Sequence, residues 1–474
     1  MDRIKLSPAD NVEVVLRGER SGHKLAVRDI AEGEPVIKYG YPIGVASRVI
    51  KKGEWVHSHN LRSGLSGLLE YEYKPSFSDI TPQPPASFMG YPRKGGRAGI
   101  RNEIWIVPTV GCVNEAARAV ERRFAGLRRE NIDGVYAFPH PYGCSQLGDD
   151  AEHTLDALVG MIRHPNAGGV LVMGLGCENT QLSKVKERLG EWDDERVRFL
   201  TCQDEPDEVE SACRIVGELI EHASGTGREK TPVSELAVGL KCGGSDGFSG
   251  ITANPLVGRF ADRLIAMGGS AILTEVPEMF GAETILMSRC RTRELFEKTV
   301  SLINRKKEDF IAHGCEVYEN PSPGNRAGGI TTLEEKSLGC TFKGGTSPVE
   351  GVLSYAEPLR VRGLNLLDCP GNDLVSSCGE VISGAQLVLF TTGRGTPFGA
   401  PAPVLKISTN SALAKKKPGW IDFDAGRLLE GADMDTLCGE LFERVISVAS
   451  GEEQTKTERN FARDLCIYRS GVTL

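Results

Sequence analysis

The sequence lacks most of the short motifs that identify an enzyme class directly. No two of its thirteen cysteines form a C-x-x-C pair, which argues against a zinc ribbon or a thioredoxin-like redox site. Walker A and H-E-x-x-H are also absent. The nearest approach to the dinucleotide motif G-x-G-x-x-G, Gly393-Arg394-Gly395, lacks the third glycine in register. These common signatures therefore do not classify the chain.

Long apolar runs and basic blocks are missing too. No uninterrupted apolar run approaches the length of a membrane span, and the first ten residues have no signal-peptide core. The net charge of −8, without a large basic block, argues against nucleic acid as the main partner. Because thirteen cysteines occur without a signal peptide, we expect reduced thiols and a cytoplasmic protein. Neither a membrane nor a nucleic-acid partner is predicted.

What is present is a globular composition, with 40% hydrophobic and 25% charged residues over 474 positions, enough for about three domains. Residues 1–70 predict a compact β domain, because the turn Ile30-Ala31-Glu32-Gly33-Glu34 recurs as Ile50-Lys51-Lys52-Gly53-Glu54 before a second strand-like segment. Residues 71–89 are rich in proline and polar residues, which is typical of an extended linker.

Two histidines, His57 and His59, follow the second copy of this turn. On a strand, residues i and i+2 share a face, so both imidazoles could point at one object. Two imidazoles on one face make half of a metal site. The other interpretation is a pair of surface histidines.

From residue 90 onward, strand-like apolar runs alternate with helical patterns. Strands are predicted at 104–110, 134–138, 169–173, 197–200, 236–240 and 271–274, each followed by a helix, with further buried strands at 364–367 and 387–390. This alternation predicts an α/β fold with parallel strands behind the small β domain. We expect one α/β domain over residues 90–320 and a second over 321–474.

Small and polar residues follow eight of these strands, where parallel sheets bind ligands. They occupy positions 109–114, 140–146, 174–179, 202–204, 242–246, 275–278, 368–373 and 391–397. The richest segment, residues 236–255, combines Gly243, Gly244, Gly247 and Gly250 with Ser245, Asp246 and Asn254, as a binding loop for a small, oxygen-rich anion would. The alternative is an ordinary glycine-rich turn.

Four thiols also follow strands, at Cys112, Cys144, Cys177 and Cys242. Two interpretations are open: the thiols converge to ligate iron, or they are small buried residues, the commoner fate of cysteine in a reducing compartment. The other nine cysteines are expected to be structural or incidental.

Glu275 and Glu278 suit a general base or a metal ligand, and equally a helix start favoured by the dipole. Arg394 suits a bidentate grip on a carboxylate, or is a surface arginine in a turn. Such groups fit proton abstraction beside a carboxylate, with a divalent metal to neutralise the charge that develops and an acid to release a hydroxyl. The same groups would also suit other lyases.

Longer motifs extend over most of the chain, including IKYGYPIG, VHSHN, RNEIWIVPTVGCVN, YGCSQLGDD, GLGCEN, CGGSDGFSGITANP, TEVPEMFGAE, ENPSPGN and TTGRGTPFG. Through these motifs the chain resembles the altronate/galactarate dehydratase family. The resemblance implies an N-terminal SAF (β-clip) domain and iron(II)-dependent, or manganese-supported, dehydration of D-altronate to 2-dehydro-3-deoxy-D-gluconate. Galactarate dehydratase and sulfolactate sulfo-lyase share CGGSD, NPSPGN and GRGTP, and remain the alternatives within the family.

The resemblance also implies roles for individual residues. The expected metal ligands are His57, His59, Cys112, Cys144, Cys177 and Cys242. The expected substrate-binding residues are Ser245, Asp246, Asn254, Asn320, Asn325, Arg394 and Thr396, and the catalytic candidates are Glu275, Glu278, His140 and Lys336. The ligand is a small sugar acid, and a homo-oligomer is an open option. An iron–sulfur lyase using three of the four cysteines, and a non-catalytic sugar-acid-binding protein, are the alternatives of a different class.

Overall fold

The computed structural model describes residues 3–471 and begins with a small β domain. Its strands are β1 (Arg3–Ile4), β2 (Val12–Val15), β3 (Lys24–Ala26), β4 (Pro35–Lys38), β5 (Tyr41–Ala46), β6 (Trp55–Val56) and β7 (Leu61–Arg62). They form two antiparallel sheets, in the orders β1-β2-β3-β6 and β4-β5-β7. The predicted N-terminal β domain is confirmed.

The duplicated turn is visible in this domain as a pair of equivalent hydrogen-bonding units. Ile30 and Ile50, both fully buried, form an antiparallel bridge between the two copies. In each copy the glutamate carboxylate accepts a backbone hydrogen bond three residues upstream, at 2.9 Å for both Glu34 and Glu54. Each carboxylate also pairs with an exposed arginine. The two copies of the repeat therefore form the same turn, and the Ile30–Ile50 bridge joins them.

Residues 63–86, which include most of the predicted linker, contain no helix or strand. The segment is nevertheless anchored, because Tyr71 and Tyr73 pack against the main hydrophobic core. Its last residues enter β8 (Ser87–Gly90).

The next unit is a four-stranded parallel sheet with helices on both faces. Its elements are β9 (Glu103–Pro108), α1 (Asn114–Arg123), β10 (Gly134–Ala137), α2 (Asp149–Arg163), β11 (Ala167–Gly174), α3 (Leu182–Leu189), β12 (Val197–Thr201) and α4 (Glu208–Ser224). The strand order is β10-β9-β11-β12. A short strand, β13 (Glu229–Pro232), then pairs antiparallel with β8. The predicted alternation of strands and helices is confirmed here.

The remainder of the chain builds a seven-stranded parallel sheet. Its first half contains β14 (Ala237–Cys242), α5 (Ala253–Ala266), β15 (Ser270–Leu273), α6 (Glu283–Met287), α7 (Arg293–Ala312), α8 (Pro323–Ala327) and α9 (Leu333–Thr341). Its second half contains β16 (Val349–Leu353), β17 (Gly363–Leu367), α10 (Asp373–Ile382), β18 (Leu387–Thr392), β19 (Val404–Ser408), α11 (Ser411–Lys416), β20 (Phe423–Asp424), α12 (Met434–Ala449) and α13 (Lys456–Arg459). The strand order is β16-β17-β15-β14-β18-β19-β20.

This sheet crosses the boundary predicted between residues 320 and 321. β14 pairs with β15 on one side and with β18, from beyond that boundary, on the other. The two halves share one hydrophobic core, so neither could bury its strands without the other. The sheet therefore ties residues 237–424 into one unit.

In this order, the strands that follow β14 in the chain are added first on one side of it (β15, β16 and β17) and then on the other (β18, β19 and β20). In open parallel sheets, the crevice at such a point is the usual ligand site. The loops after β14, β15, β17 and β18 meet there, and they are four of the eight polar strand ends seen in the sequence. No helix within residues 3–471 is long and apolar enough to cross a membrane.

Candidate functional site

Glu275 lies two residues after the end of β15, at the centre of a buried charge cluster, and its backbone conformation is unusual. Its backbone is left-handed, with φ of 70°, which is uncommon for a residue with a side chain and is concentrated at functional sites. Its carboxylate pairs with Lys241 at the end of β14 and lies 2.8 Å from the Lys343 ammonium. All three side chains are fully buried. Lys241 also lies 3.0 Å from Asp373 Oδ1, so the two cations face two carboxylates.

Two thiols adjoin this cluster. The sulfurs of Cys242 and Cys340 lie 3.2 Å apart, and Lys343 Nζ lies 2.9 Å from Cys242 Sγ. The hydrogen bond from Cys340, assisted by the Lys343 charge, lowers the pKa of Cys242 against the effect of burial. The same hydrogen bond and burial raise the pKa of Cys340 well above its usual value. The pair therefore favours a thiolate at Cys242 beside a thiol at Cys340.

Glu278 completes a set of three candidate metal ligands. Its Oε2 lies 3.0 Å from Cys340 Sγ. One ligand atom each from Cys242, Glu278 and Cys340 lies within 4.8 Å of the others, and no other such trio of His, Cys, Asp or Glu occurs in residues 3–471. Two soft sulfurs and one carboxylate form a donor set that fits a divalent transition metal such as iron. The chain therefore offers a candidate metal centre at this edge of the sheet.

Lys336 joins this centre to the neighbouring cavity. Its ammonium lies 2.7 Å from Glu278 Oε1 and 3.1 Å from Asn320 Oδ1. Although burial alone would raise it, the charges of Lys336 and Lys241 lower the pKa of Glu278 to about 2. Conversely, Glu278 raises the pKa of Lys336 in spite of burial. At neutral pH both groups are charged.

A cavity lies directly beside these residues. It is lined by Tyr39, Ser245, Asp246, Ser249, Gly250, Asn254, Ile330, Glu335, Lys336, Gly339 and Cys340. Within it, the Ser245 hydroxyl is buried and has no hydrogen-bond partner. An unpaired buried hydroxyl is costly unless a ligand or water satisfies it, so Ser245 is arranged to receive one.

The other predicted substrate residues of this loop line the same cavity or support it. Asp246 accepts hydrogen bonds from Thr409, Asn410 and the backbone of its own loop. Asn254 is bonded on both sides, to Gly339 and Thr391, and Asn325 donates to the Ser245 carbonyl at 2.8 Å. These side chains shape the loop, since their polar atoms already have protein partners.

Arg394 and Thr396 lie outside the lining of the cavity. Arg394 is exposed, and its Nη1 donates to the Gly324 carbonyl at 3.2 Å. Its backbone lies beside Gly244, immediately before Ser245. Thr396 is half-buried, and its carbonyl accepts from Lys406. The structure thus places Arg394 beside the glycine-rich loop, and the Thr396 carbonyl anchors Lys406.

His140 belongs to the four-stranded sheet, and both of its ring nitrogens are occupied. Nε2 lies 2.8 Å from the Pro108 carbonyl, and Nδ1 accepts the Tyr142 backbone N–H at 3.2 Å. Burial lowers the pKa of His140 to about 4, so the ring is neutral. The histidine therefore holds its own loop.

The histidines of the N-terminal domain require a correction. The strand predicted to present His57 and His59 ends at Val56, and both residues lie in the following turn, closed by Asn60. Each imidazole instead stacks near the Trp55 ring, with centroid distances of 4.8 Å and 5.1 Å. The prediction that they share a strand face is wrong, because an asparagine turn competes with continued strand pairing.

The four thiols singled out in the sequence are divided between two sheets. Cys112, Cys144 and Cys177 are exposed at the edge of the four-stranded sheet, whereas Cys242 is buried on the seven-stranded sheet. Hydrogen bonds link the three exposed loops, for example Ser145 N–H to Asn179 at 2.9 Å. The structure gives Cys242 a different sulfur neighbour, Cys340.

Cys340 and Lys343 are the residues that sequence reasoning missed. Cys340, expected to be structural or incidental, contacts Cys242 and Glu278 and thereby becomes a candidate metal ligand. A signal was present, because Lys336, Cys340 and Lys343 follow the i, i+4, i+7 spacing that places side chains on one helix face. Helix α9 and the short turn after it present this face to the site.

Comparisons with known proteins agree with this architecture. Residues 19–64 match the family model for the altronate/galactarate dehydratase SAF domain. Residues 90–224 match the model for the second domain of D-galactarate dehydratase/altronate hydrolase, and residues 233–473 match the model for the C-terminal domain of D-galactarate/altronate dehydratase. The chain is 53% identical to altronate dehydratase of Escherichia coli (strain K12), covering 98% of this chain and 94% of the relative.

Two further relatives have similar coverage. Altronate dehydratase of Bacillus subtilis (strain 168) is 52% identical, covering 99% of both chains. Galactarate dehydratase (L-threo-forming) of E. coli is 33% identical, covering 96% of this chain and 94% of the relative. Together with the three domain matches, these similarities show that the chain is a hydro-lyase that belongs to the altronate/galactarate dehydratase family.

Proposed function

We propose that this enzyme dehydrates D-altronate to 2-dehydro-3-deoxy-D-gluconate. The observation that carries the proposal is the cavity lined by Ser245, whose buried hydroxyl is unpaired, and by Lys336. A hydroxyl and a cation suit a polyhydroxy acid. The altronate dehydratases at 53% and 52% identity support this substrate over galactarate, whose dehydratase is 33% identical.

Within the reaction, Lys336 has the clearest role. Transfer of the C2 proton to a general base places negative charge next to the substrate carboxylate, and a buried ammonium stabilises such charge strongly. Lys336 then serves as the proton donor to the departing C3 hydroxyl, with Glu278 fixing its position at 2.7 Å. The resulting enol tautomerises to the 2-keto acid. Ser245 holds a substrate hydroxyl, and Arg394, beside the loop, binds the carboxylate.

We propose Cys242, Glu278 and Cys340 as the residues that hold the metal. When bound, a divalent ion supplies Lewis-acid polarisation of the substrate oxygens. Two sulfur donors favour Fe²⁺ over Mn²⁺, which prefers oxygen ligands. Glu275 keeps Lys241 and Lys343 in place around these donors. The thirteen free cysteines also favour work in a reducing compartment, the cytoplasm.

An assay of purified protein with D-altronate, galactarate and sulfolactate, each with Fe²⁺, Mn²⁺ or Mg²⁺ under reducing conditions, tests the proposal. We expect a 2-keto-3-deoxy acid from altronate with Fe²⁺. Turnover of only galactarate or sulfolactate would overturn the substrate assignment. Iron and acid-labile sulfide analysis addresses the alternative of a cluster on Cys112, Cys144 and Cys177: equimolar sulfide and iron in active protein would replace the single-ion proposal.

A further inference from the structure

The N-terminal domain delivers one side chain into the cavity of the catalytic sheet. Tyr39 lies in the two-residue turn between β4 and β5, where Lys38 pairs with Tyr41. Both turn residues have positive φ, 61° for Tyr39 and 82° for Gly40. Hairpin turns of this kind favour Asn-Gly or Asp-Gly, so a tyrosine at the first position is unfavourable for the turn itself. A tyrosine with a positive φ at this position indicates that its side chain has a role outside the turn.

The surroundings of Tyr39 are those of a side chain inserted into the catalytic unit. Its ring packs edge to face on Phe342, with centroids 5.3 Å apart, and the Lys38 ammonium lies 4.6 Å from the ring centroid. The phenol oxygen approaches Gly250 so closely that a Cβ on that glycine would lie 2.5 Å from it. Tyr39 therefore reaches the glycine-rich loop that carries Ser245.

A buried ion-pair group fixes this insertion. Lys24 and Lys38 of the β domain both bind Glu335 on α9, with closest distances of 2.7 Å and 2.8 Å. Lys24 also donates to the Gly329 carbonyl at 2.8 Å. Tyr39, which follows Lys38, and Lys336, which follows Glu335, both line the cavity, so this ion-pair group anchors the two chain segments that carry them.

We propose that Tyr39 is a substrate-binding residue, and that the N-terminal domain completes the sugar-acid pocket by donating a hydrogen bond from its phenol. Burial raises the pKa of Tyr39, so the phenol stays protonated at neutral pH and acts as a donor. The proposal rests on the proposed function for the class of ligand, a sugar acid. It also explains why the β domain is docked through buried charge.

The test compares the full-length wild type with Tyr39→Phe and Tyr41→Phe. The Phe variant at position 39 keeps the ring on Phe342 and removes only the hydroxyl, whereas Tyr41 is 46% exposed on the same hairpin and serves as the matched control. We expect Tyr39→Phe to raise KM for D-altronate by roughly 3- to 10-fold, as expected for one lost hydrogen bond, with a smaller change in kcat. Tyr41→Phe should equal the wild type.

A second readout separates this proposal from the proposed function. Calorimetric binding of D-altronate and of galactarate, without added metal, should be weaker for Tyr39→Phe than for both other proteins. If wild-type protein binds altronate but does not dehydrate it, the proposed function is wrong. The role of Tyr39 in binding is then decided by the measured affinities alone. Equal affinities and equal KM in all three proteins would overturn the role of Tyr39, as would a change in kcat alone or an absence of sugar-acid binding.

Discussion

The sulfurs of Cys242 and Cys340 lie 3.2 Å apart, although 98 residues separate them in the chain. Cys242 is the last residue of the central strand β14, and Cys340 lies in the last turn of α9. The two thiols therefore meet only because α9 packs against the end of the sheet. With Glu278 they form the proposed metal-binding group, which no single sequence motif contains.

The first prediction concerns this group. Replacing either thiol, by Cys242→Ser or Cys340→Ser, should lower bound iron by roughly tenfold or more, because a soft donor is lost from a three-residue set. Metal content by plasma mass spectrometry measures this directly. Cys438→Ser, on buried α12, is the control and should retain wild-type iron. Iron retained by both serine variants but lost from Cys177→Ser would move the metal to the other sheet.

A second prediction uses two serines of one loop. Ser245 has an unpaired hydroxyl, whereas the Ser249 hydroxyl accepts from Asp246 N–H at 2.9 Å. Ser245→Ala should leave the free energy of unfolding within about 0.5 kcal/mol of wild type while raising KM, since it removes no protein contact. Ser249→Ala should cost about 1–2 kcal/mol. Urea unfolding beside steady-state kinetics measures both, and equal destabilisation by the two variants would contradict the assignment.

Lys336 allows a third prediction. Lys336→Met should lower kcat by roughly 100-fold or more, because charge stabilisation at the reacting carbons is lost. It also leaves Glu278 buried without its nearest cation, so stability should fall as well. The double variant Lys336→Met with Glu278→Gln should regain stability but not activity. Because Glu278→Gln also removes a proposed metal ligand, activity is judged on Lys336→Met alone, and an unchanged kcat in that variant would contradict the role of Lys336.

The fourth prediction concerns the docking of the N-terminal domain. Glu335→Gln leaves Lys24 and Lys38 buried with no full counter-charge and should cost about 3–5 kcal/mol. Glu34→Gln removes an exposed pair with Arg28 and should cost at most about 1 kcal/mol. Urea unfolding compares the two, and similar losses would show that the buried group does not dock the domain.

The buried Glu335 carboxylate should also make the free energy of unfolding depend on pH. Burial alone would raise the pKa of Glu335, but Lys24 and Lys38 hold it well below the ordinary value of 4.5. A carboxyl whose pKa is depressed on folding contributes stability that is present above 4.5 and is lost as the pH falls below it. The free energy of unfolding should therefore fall more steeply between about pH 4.5 and 3 in wild type than in Glu335→Gln. Parallel slopes would contradict this linkage.

The order of strands and helices could be predicted from the sequence because periodicity and turn residues are local properties. Apolar runs at 236–240 and 271–274 correspond to β14 and β15, and the duplicated glutamate turn marked the N-terminal domain. Family motifs likewise drew attention to Ser245, which lines the cavity, and to Glu278, which belongs to the candidate metal group. These features depend on neighbouring residues, so they can be read from the chain itself.

Tertiary structure alone decided which of the reactive groups meet. The pairing of β14 with β18 joined strands from both sides of the predicted domain boundary, and packing of α9 set Cys340 and Lys343 beside Cys242. It also left Cys112, Cys144 and Cys177 on another sheet, and inserted Tyr39 from a separate domain. Such contacts join residues far apart in the chain, and they follow from burying shared apolar surfaces, which no local pattern encodes.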